Sequence, residues 1–225
     1  MAYDDGAGHR MEMSVMADIE FFFDCSSPWT YLAFHNIAPL AAEFGATIAF
    51  RPILVGGIFN TVNPSVYASR ENKVPLKQAY GLKDMQDWAR IAGLRMVFPP
   101  KVFPVNSVKA MRGCLLLEPE GKLEPFARAA FAAYFGDDKD ISQDAVLGEI
   151  CTKVGVDPKG FLAGIAQPAI KDKLKANTDE VIRRGGFGSP TIFVGGSDMY
   201  FGNDRLPLVR DALERRASAA RERVA

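Results

Sequence analysis

The first part of the chain contains two short apolar runs separated by one longer helical pattern. Residues 18–24 (DIEFFFD) form an aromatic-rich apolar run, which predicts a buried strand. A helix is predicted over about 29–44 and ends at Gly45, and residues 46–51 (ATIAFR) predict a second strand. Two parallel strands joined in this way need a crossover helix, so the chain is predicted to begin as β-α-β.

The middle of the chain has a helical pattern. Residues 53–64 (ILVGGIFNTVNP) contain two glycines and predict a loop. The apolar spacing then becomes mostly helical, with charged residues on the opposite faces. The proline-rich segment 97–106 (VFPPKVFPVN) interrupts the helices, because X-Pro steps do not continue a helix. The individual helices are predicted over 79–92, 107–117, 123–135, 144–154 and 170–183.

The strand pattern returns near the end of the chain. Residues 191–194 (TIFV) and 199–201 (MYF) predict two strands of a hairpin, with two glycines in the turn. A last helix is predicted over about 205–221. This order describes one α/β layer with an all-helical insertion and not two independent domains.

Composition excludes several classes of function. The 27 basic residues balance the 27 acidic ones, so no net charge attracts nucleic acid or an anionic membrane. No apolar run approaches the roughly 18 residues that a membrane span needs. Residues 1–16 lack the apolar core of a signal peptide and are predicted to be a disordered tail, in which Met11, Met13 and Met16 are alternative starts. We therefore expect a cytoplasmic protein without nucleic-acid or membrane partners.

Cysteines and histidines are too few for many mechanisms. Cys25, Cys114 and Cys151 are far apart, and no CxxC or Cys/His ligand pair is present, so we expect neither a disulfide framework nor a metal site. His9 and His35 are not accompanied by a GxSxG motif, and the chain has no P-loop or GxGxxG motif. The chemistry must therefore depend on other groups.

The first candidate site is the strand-to-helix turn Ser26-Ser27-Pro28-Trp29. Unpaired backbone N–H groups at a helix N-terminus stabilise an anion. A hydroxyl group there, such as that of Ser27, can donate a hydrogen bond to a bound thiolate and favour its ionised form. The alternative is that Ser27 and Pro28 only begin the helix, because both residue types are common at that position.

The second candidate site is the segment Gly188-Ser189-Pro190-Thr191, with Asn203, Asp204 and Arg205 after the hairpin. A proline before a strand is a candidate for a cis peptide bond, which would expose the backbone of Ser189 for pairing with an extended peptide ligand. Asn203, Asp204 and Arg205 could bind amino and carboxylate groups at the start of the last helix. The alternative is an N-cap beside a solvated arginine.

Four segments together give the chain a recognisable resemblance: FFFDCSSPWTYLA, RPILVGGIFNTVNP, VFPPKVFPVNS and FGSPTIFVGGSDMYFGNDRL. In this order they resemble the 2-hydroxychromene-2-carboxylate isomerase family, which belongs with the kappa-class glutathione transferases and the DsbA-like thioredoxin folds. The resemblance covers residues 18 to about 213. It implies a thioredoxin-like domain over 17–64 and 186–225, an all-helical insertion domain over 65–185, and a homodimer.

The redox motif of DsbA-like oxidoreductases is missing. Their CxxC pair occupies the position of SPWT, where this chain has Ser27 and Thr30. Disulfide exchange at this site is therefore chemically excluded. Cys25 lies two residues before Ser27, does not match the redox cysteine, and is interpreted as a small buried residue.

The resemblance implies a glutathione-binding enzyme. Ser27 matches the serine that stabilises the glutathione thiolate, and the peptide backbone of glutathione would pair with Ser189 beside Pro190. The γ-glutamyl end would be held at the start of the last helix, and an asparagine in the TVNP loop would reach glutathione or the substrate. The residues that the resemblance assigns to glutathione are Ser27, Asn63, Ser189, Pro190, Asn203 and Asp204.

The implied reaction is a cis–trans isomerisation of an aromatic 2-oxo acid by reversible addition of the thiolate to its conjugated double bond. Candidate walls of the substrate pocket are Phe59, Trp88 and Phe103, although each also suits core packing. The alternatives are a kappa-like glutathione transferase or peroxidase and a non-catalytic glutathione-binding protein. A DsbA-like oxidoreductase is disfavoured because CxxC is missing.

Overall fold

A computed structural model of the chain describes residues 17–72 and 74–222, apart from the side chains of Ser69, Arg70 and Ala220. The predicted disordered tail at 1–16, with its alternative start methionines, lies outside the described residues. Within the described part, four strands form a single sheet: Ile19–Phe23 (β1), Ile48–Pro52 (β2), Thr191–Val194 (β3) and Asp198–Phe201 (β4).

The sheet has the strand order β2-β1-β3-β4. β1 is parallel to β2 and antiparallel to β3, and β3 forms an antiparallel hairpin with β4. The first crossover is the helix Pro28–Glu43 (α1), as the β-α-β pattern predicts. The four strands come from the two ends of the sequence, so the predicted α/β layer with a helical insertion is confirmed.

The remaining helices lie mostly between β2 and β3. A π-helical turn at Ala132–Gly136 extends one of them, and 3-10 turns occur at Glu118–Glu120 and Asn203–Arg205. The helices after α1 are Val55–Val62 (α2), Ser65–Glu71 (α3), Pro75–Ile91 (α4), Val108–Leu117 (α5), Leu123–Phe131 (α6), Asp144–Lys153 (α7), Pro158–Gly164 (α8), Pro168–Arg183 (α9) and Leu206–Glu222 (α10).

The predicted loop at 53–64 is wrong, because most of it forms α2. Two glycines there lowered the helix propensity, but packing compensates. Ile58 is fully buried in a cluster on the face of the sheet that α2 and α9 cover. A Cβ atom at Gly57 would lie 3.4 Å from the Thr178 methyl group, so α2 packs closely against α9.

The main core continues from the sheet into the helical segment. Phe34 on α1 lies 4.8 Å from Phe50 on β2 and 5.3 Å from Phe131 at the end of α6, measured between ring centroids. Such aromatic pairs stabilise beyond the area they bury. Because one core crosses the proposed boundaries, the division at residues 64–65 and 185–186 stays a prediction.

We expect Gly113→Ala to destabilise the helical segment. A Cβ atom at this position of α5 would lie 2.6 Å from Phe161 Cε2 on α8 and 3.0 Å from Phe126 Cε1 on α6. This overpacking should lower the free energy of unfolding by about 1–3 kcal/mol in urea titrations. The matched control is Gly148→Ala on α7, where the new Cβ meets only Pro158 Cβ at 3.7 Å and should stabilise the helix by roughly 0.5–1 kcal/mol. Equal effects of the two substitutions would contradict the packing argument.

Candidate active site

The turn between β1 and α1 is built by Ser27 and Pro28. Ser27 is the N-cap of α1, and its Oγ accepts a hydrogen bond from the Thr30 N–H at 3.2 Å. Pro28 occupies the first helical position, where its missing N–H costs nothing. The predicted helix start is confirmed, and the hydroxyl group of Ser27 lies at the positive end of a 16-residue helix with no acidic residue in its first turn.

The two candidate sites meet at Ser189, which is 7% exposed and precedes a cis peptide bond to Pro190. The Ser27 Oγ donates to the Ser189 carbonyl oxygen at 3.1 Å, across 162 residues of sequence. The Oγ atoms of Ser189 and Thr30 are 2.8 Å apart and share a hydrogen bond. Ser27 and Thr30, at the two CxxC positions, therefore both bind the residue before the cis proline.

A buried carboxyl group lies beneath this turn, at Asp24. One of its oxygens accepts from the Ser26 N–H at 2.9 Å and the other from the Val55 N–H at 2.8 Å. The Asp24 N–H donates to Ser189 Oγ at 3.0 Å, and the Ser107 hydroxyl group also bonds to the carboxyl group. Asp24 is 1% exposed, and this burial raises the pKa of its carboxyl group above the usual value.

Asp24 is the member of the site that sequence reasoning missed. The available signal was an acidic residue ending an aromatic strand directly before the Ser26-Ser27-Pro28 turn. A carboxylate is rarely buried without partners, so its position called for several donors nearby. The structure supplies them from the turn, from the start of α2 and from Ser107 before α5.

Cys25 is fully buried, as predicted. Burial, followed by a hydrogen bond with the Cys114 side chain, raises the pKa of the Cys25 thiol well above its ordinary value. Its backbone N–H contacts Met111 Sδ at 3.3 Å. A buried, protonated thiol is a poor nucleophile, so Cys25 does not replace the missing redox cysteine.

The residues predicted to hold the γ-glutamyl end lie in the 3-10 turn before α10. The Gly202 N–H donates to the Pro190 carbonyl oxygen at 3.2 Å, which joins this turn to the Ser189 segment. Asn203 is 2% exposed, and neither its Nδ2 nor its Oδ1 has a hydrogen-bond partner in the described part of the chain. Asp204 is exposed and forms an ion pair with Arg205.

Asn63 lies on the other side of the Ser189 segment. Its Nδ2 donates to the Phe187 carbonyl oxygen at 3.1 Å, and its Oδ1 accepts from the Ser65 hydroxyl group at 2.7 Å. The amide therefore links the end of α2 to the backbone two residues before Ser189. This brings Asn63 to the same segment as Ser27, whose hydroxyl group binds Ser189.

The three aromatic residues predicted to line a substrate pocket have different neighbours. The Phe59 ring contacts the Tyr67 ring, with centroids 6.3 Å apart. Trp88 on α4 packs against the main core, and the Phe103 ring contacts the Phe98 ring at 5.2 Å in the proline-rich segment. The described contacts do not join them into one wall, and their role stays a prediction.

Neither a metal site nor a membrane-spanning helix is found in residues 17–72 and 74–222, the part of the chain that the structure describes. No cluster of three or more histidine, cysteine, aspartate or glutamate side chains in this part is arranged to hold a metal ion. Likewise, none of the described helices combines the length and the apolar character that crossing a bilayer requires.

The fold and the site define a thioredoxin-like protein with two hydroxyl residues, Ser27 and Thr30, and no cysteine at the start of α1. Residues 18–214 match the family model of the DSBA-like thioredoxin domain. The chain therefore belongs to this family, and the predicted thioredoxin-like fold is confirmed.

Relatives matched by sequence over most of the chain carry two kinds of name. The chain is 28% identical to a 2-hydroxychromene-2-carboxylate isomerase of Pseudomonas putida, over 88% of this chain and 94% of that protein. It is 26% identical to the human glutathione S-transferase kappa 1, over 87% of this chain and 90% of that protein. A solved structure of a 2-hydroxychromene-2-carboxylate isomerase superposes with a TM-score of 0.77 at 25% identity, covering 91% of this chain and 98% of that one. The resemblance inferred from the sequence motifs is confirmed.

Proposed function

We propose that this protein is a glutathione-dependent isomerase of the 2-hydroxychromene-2-carboxylate type, acting on an aromatic 2-oxo acid with a conjugated double bond. The observation that carries the proposal is the Ser27 hydroxyl group, which lies at the N-terminus of α1 and donates to the carbonyl oxygen of Ser189, the residue before the cis proline. Relatives named 2-hydroxychromene-2-carboxylate isomerase over nearly the whole chain support the reaction. Those named glutathione S-transferase kappa support the thiol.

The polar groups around Ser189 fit a γ-glutamyl tripeptide. Asp204 offers an exposed carboxylate that suits the ammonium group of the γ-glutamyl residue. Next to it, the buried amide of Asn203 has both a donor and an acceptor without partners. A ligand that forms hydrogen bonds with these two groups would remove the free-energy cost of burying them unpaired. The proposed ligand therefore extends from Ser27 to the start of α10.

Ser27 has to change its hydrogen bond when a thiol binds. Its proton now points to the Ser189 carbonyl oxygen, and its oxygen accepts from the Thr30 N–H. Rotation about the Cβ–Oγ bond would redirect the proton to sulfur while Oγ still accepts from the Thr30 N–H, and the positive end of the α1 dipole would favour the anion. Glutathione, when bound, would supply a thiolate that adds to the conjugated carbon of the substrate and later leaves it.

The decisive experiment is calorimetric titration of the purified chain with glutathione, followed by an assay of cis–trans interconversion of an aromatic enone 2-oxo acid. Binding together with glutathione-dependent turnover would support the proposal. Binding without isomerase turnover would leave a glutathione transferase or peroxidase and a glutathione-binding protein that is not an enzyme. Failure of a folded chain to bind glutathione would overturn both the isomerase and the transferase.

The second candidate is a kappa-like glutathione transferase or peroxidase, which the named relatives favour. It would use the same Ser27 site. A transferase would leave the thiol bonded to its substrate, and a peroxidase would reduce a hydroperoxide to an alcohol and water while two glutathione molecules are oxidised to their disulfide. Conjugation of an aryl halide or reduction of a hydroperoxide, measured beside the isomerase assay, distinguishes the two. For either enzyme we propose a homodimer and a cytoplasmic location.

We expect Asp204→Ala to weaken glutathione binding about 10-fold, because the ammonium group of the γ-glutamyl residue loses a charged hydrogen-bonding partner worth roughly 1.5 kcal/mol. The contact is the same before and after the chemical step, so kcat at saturating glutathione should change little. Calorimetry and steady-state rates measure the two quantities. The matched control is Asp211→Ala, which breaks another exposed ion pair on α10, with Arg215. A loss of kcat without a loss of affinity would contradict the assignment.

A further inference from the structure

Two exposed phenyl rings lie in contact beside the Ser189 segment. The centroids of Phe187 and Phe201 are 4.4 Å apart, with 43° between the ring planes. Phe187 is 39% exposed and Phe201 is 37% exposed. Single apolar residues are common on protein surfaces, but a contacting pair that remains open to solvent offers a continuous apolar face. We call Phe187 and Phe201 the aromatic pair.

The aromatic pair belongs to the backbone that forms the thiol site. Phe201 is opposite Thr191 in the β3–β4 register, directly after Pro190. A Cβ atom at Gly188 would lie 2.7 Å from Phe201 Cε2, so the absence of a side chain there lets the ring rest against this segment. Gly188 directly precedes Ser189, whose carbonyl oxygen binds Ser27.

We propose that the aromatic pair is the surface on which the aryl ring of the second substrate stacks. The proposal rests on the proposed function and adds the residues that select an aryl over an alkyl substrate. Phe187 is two residues from Ser189, so their Cα atoms are at most about 7 Å apart. The aryl ring of a conjugated 2-oxo acid is a few bonds from its reacting carbon, so the ring reaches the pair when that carbon meets a sulfur atom at Ser27.

Position and chemistry favour the aromatic pair over Phe59 and Phe103 as the stacking surface. Phe103 has its ring partner, Phe98, in the proline-rich segment, and Phe59 meets Tyr67 on α3. The aromatic pair instead shares its backbone with the acceptor of the Ser27 hydroxyl group. Both of its rings are more than one third exposed, and offset stacking against a phenyl ring is selective for aromatic groups.

Two probes that differ in one substituent test the proposal. Benzylidenepyruvate carries a phenyl group on its double bond, and ethylidenepyruvate carries a methyl group there. With glutathione saturating, we expect Phe201→Leu to lower the ratio of kcat/KM for the phenyl probe to that for the methyl probe about 10-fold, mainly through the KM of the phenyl probe. Phe201→Trp retains an aromatic face and should keep the ratio high.

The matched control is Phe44→Leu, a partly buried phenylalanine at the opposite end of α1 from Ser27, about 24 Å away by helix length. It should leave the ratio unchanged. Glutathione affinity, measured by calorimetry, should be the same in all four proteins. An unchanged ratio in Phe201→Leu, or an equal loss with both probes, would overturn the stacking role. A wild-type dimer that Phe201→Leu dissociates in sedimentation would overturn it too, because a second copy would then cover the pair.

Direct binding separates this proposal from the proposed function. Benzylidenepyruvate is titrated into the wild type and Phe201→Leu without glutathione, and its affinity is measured by NMR. Binding that depends on Phe201 in a protein that does not bind glutathione would support the stacking surface and overturn the isomerase. Glutathione binding with no effect of Phe201→Leu on the phenyl probe would overturn the stacking surface and leave the proposed isomerase standing.

Discussion

Ser27→Ala is expected to lower kcat/KM for the glutathione-dependent reaction about 10- to 100-fold. The hydroxyl group is proposed to donate to an anionic sulfur, and a hydrogen bond to a charged group contributes roughly 1.5–3 kcal/mol. Without that donor the pKa of the bound thiol rises by about one to two units, because one unit corresponds to about 1.4 kcal/mol. The acidic limb of the pH–rate profile should therefore move to higher pH. Steady-state rates over a range of pH values measure both effects.

The control for Ser27→Ala has to account for the helix cap. Loss of the bond from the Thr30 N–H to Ser27 Oγ should by itself cost about 1 kcal/mol of stability. Asp157→Ala removes a comparable cap from α8, where the carboxylate accepts from the Gly160 N–H at 2.7 Å. It should lower stability without moving the pH–rate profile. A Ser27→Ala enzyme with the wild-type profile would remove Ser27 from the mechanism and leave it as a helix cap.

Asp24→Ala is expected to destabilise the folded chain by about 3 kcal/mol. The carboxyl group accepts from the backbone N–H groups of Ser26 and Val55, and truncation leaves both donors buried without partners. Each such group costs roughly 1–3 kcal/mol, partly relieved by relaxation or an entering water molecule. Chemical denaturation followed by circular dichroism measures the loss. A change below about 0.5 kcal/mol would mean that these donors find other partners.

The stability difference between the wild type and Asp24→Asn should depend on pH. Burial raises the pKa of Asp24 in the folded state above its unfolded value of about 3.9. The folded chain therefore binds more protons, and the contribution of Asp24 is fully present below about pH 3.9 and lost as pH rises through the folded-state pKa. Asparagine does not titrate, so the free energy of unfolding of the variant should increase relative to that of the wild type as pH increases from 4 towards 7. A difference that changes in the opposite direction would show that the carboxylate is ionised and stabilised by its donors.

Local patterns in the sequence were sufficient for the helix start and for the positions of the four strands along the chain. Ser27 and Pro28 have strong positional preferences at a helix N-terminus, and the structure has them there. The aromatic run of β1 is buried, as its composition required. These features depend on interactions over a few residues, which a sequence pattern records directly.

Features that depend on contacts between distant parts of the chain could not be predicted from local sequence patterns. The helix α2 forms although it contains Gly56 and Gly57, because packing against α9 outweighs their low helix propensity. The bonds from Ser27 and Thr30 to Ser189 join parts of the chain that no local pattern connects. The unpaired amide of Asn203 is likewise a product of burial, since the sequence suggested only an N-cap or a ligand contact.

The position of β1 between β2 and β3 has a consequence for protein synthesis. β1 and β2 emerge from the ribosome early, but β3, which pairs with the other edge of β1, is synthesised only near the end of the chain. Ser189 follows Ser27 by 162 residues, which takes roughly 10–30 s at ordinary translation rates. During that time the phenylalanine-rich edge of β1 is open to other nascent chains or to chaperones. A product truncated before residue 189 would contain α1 and its serine but no complete site.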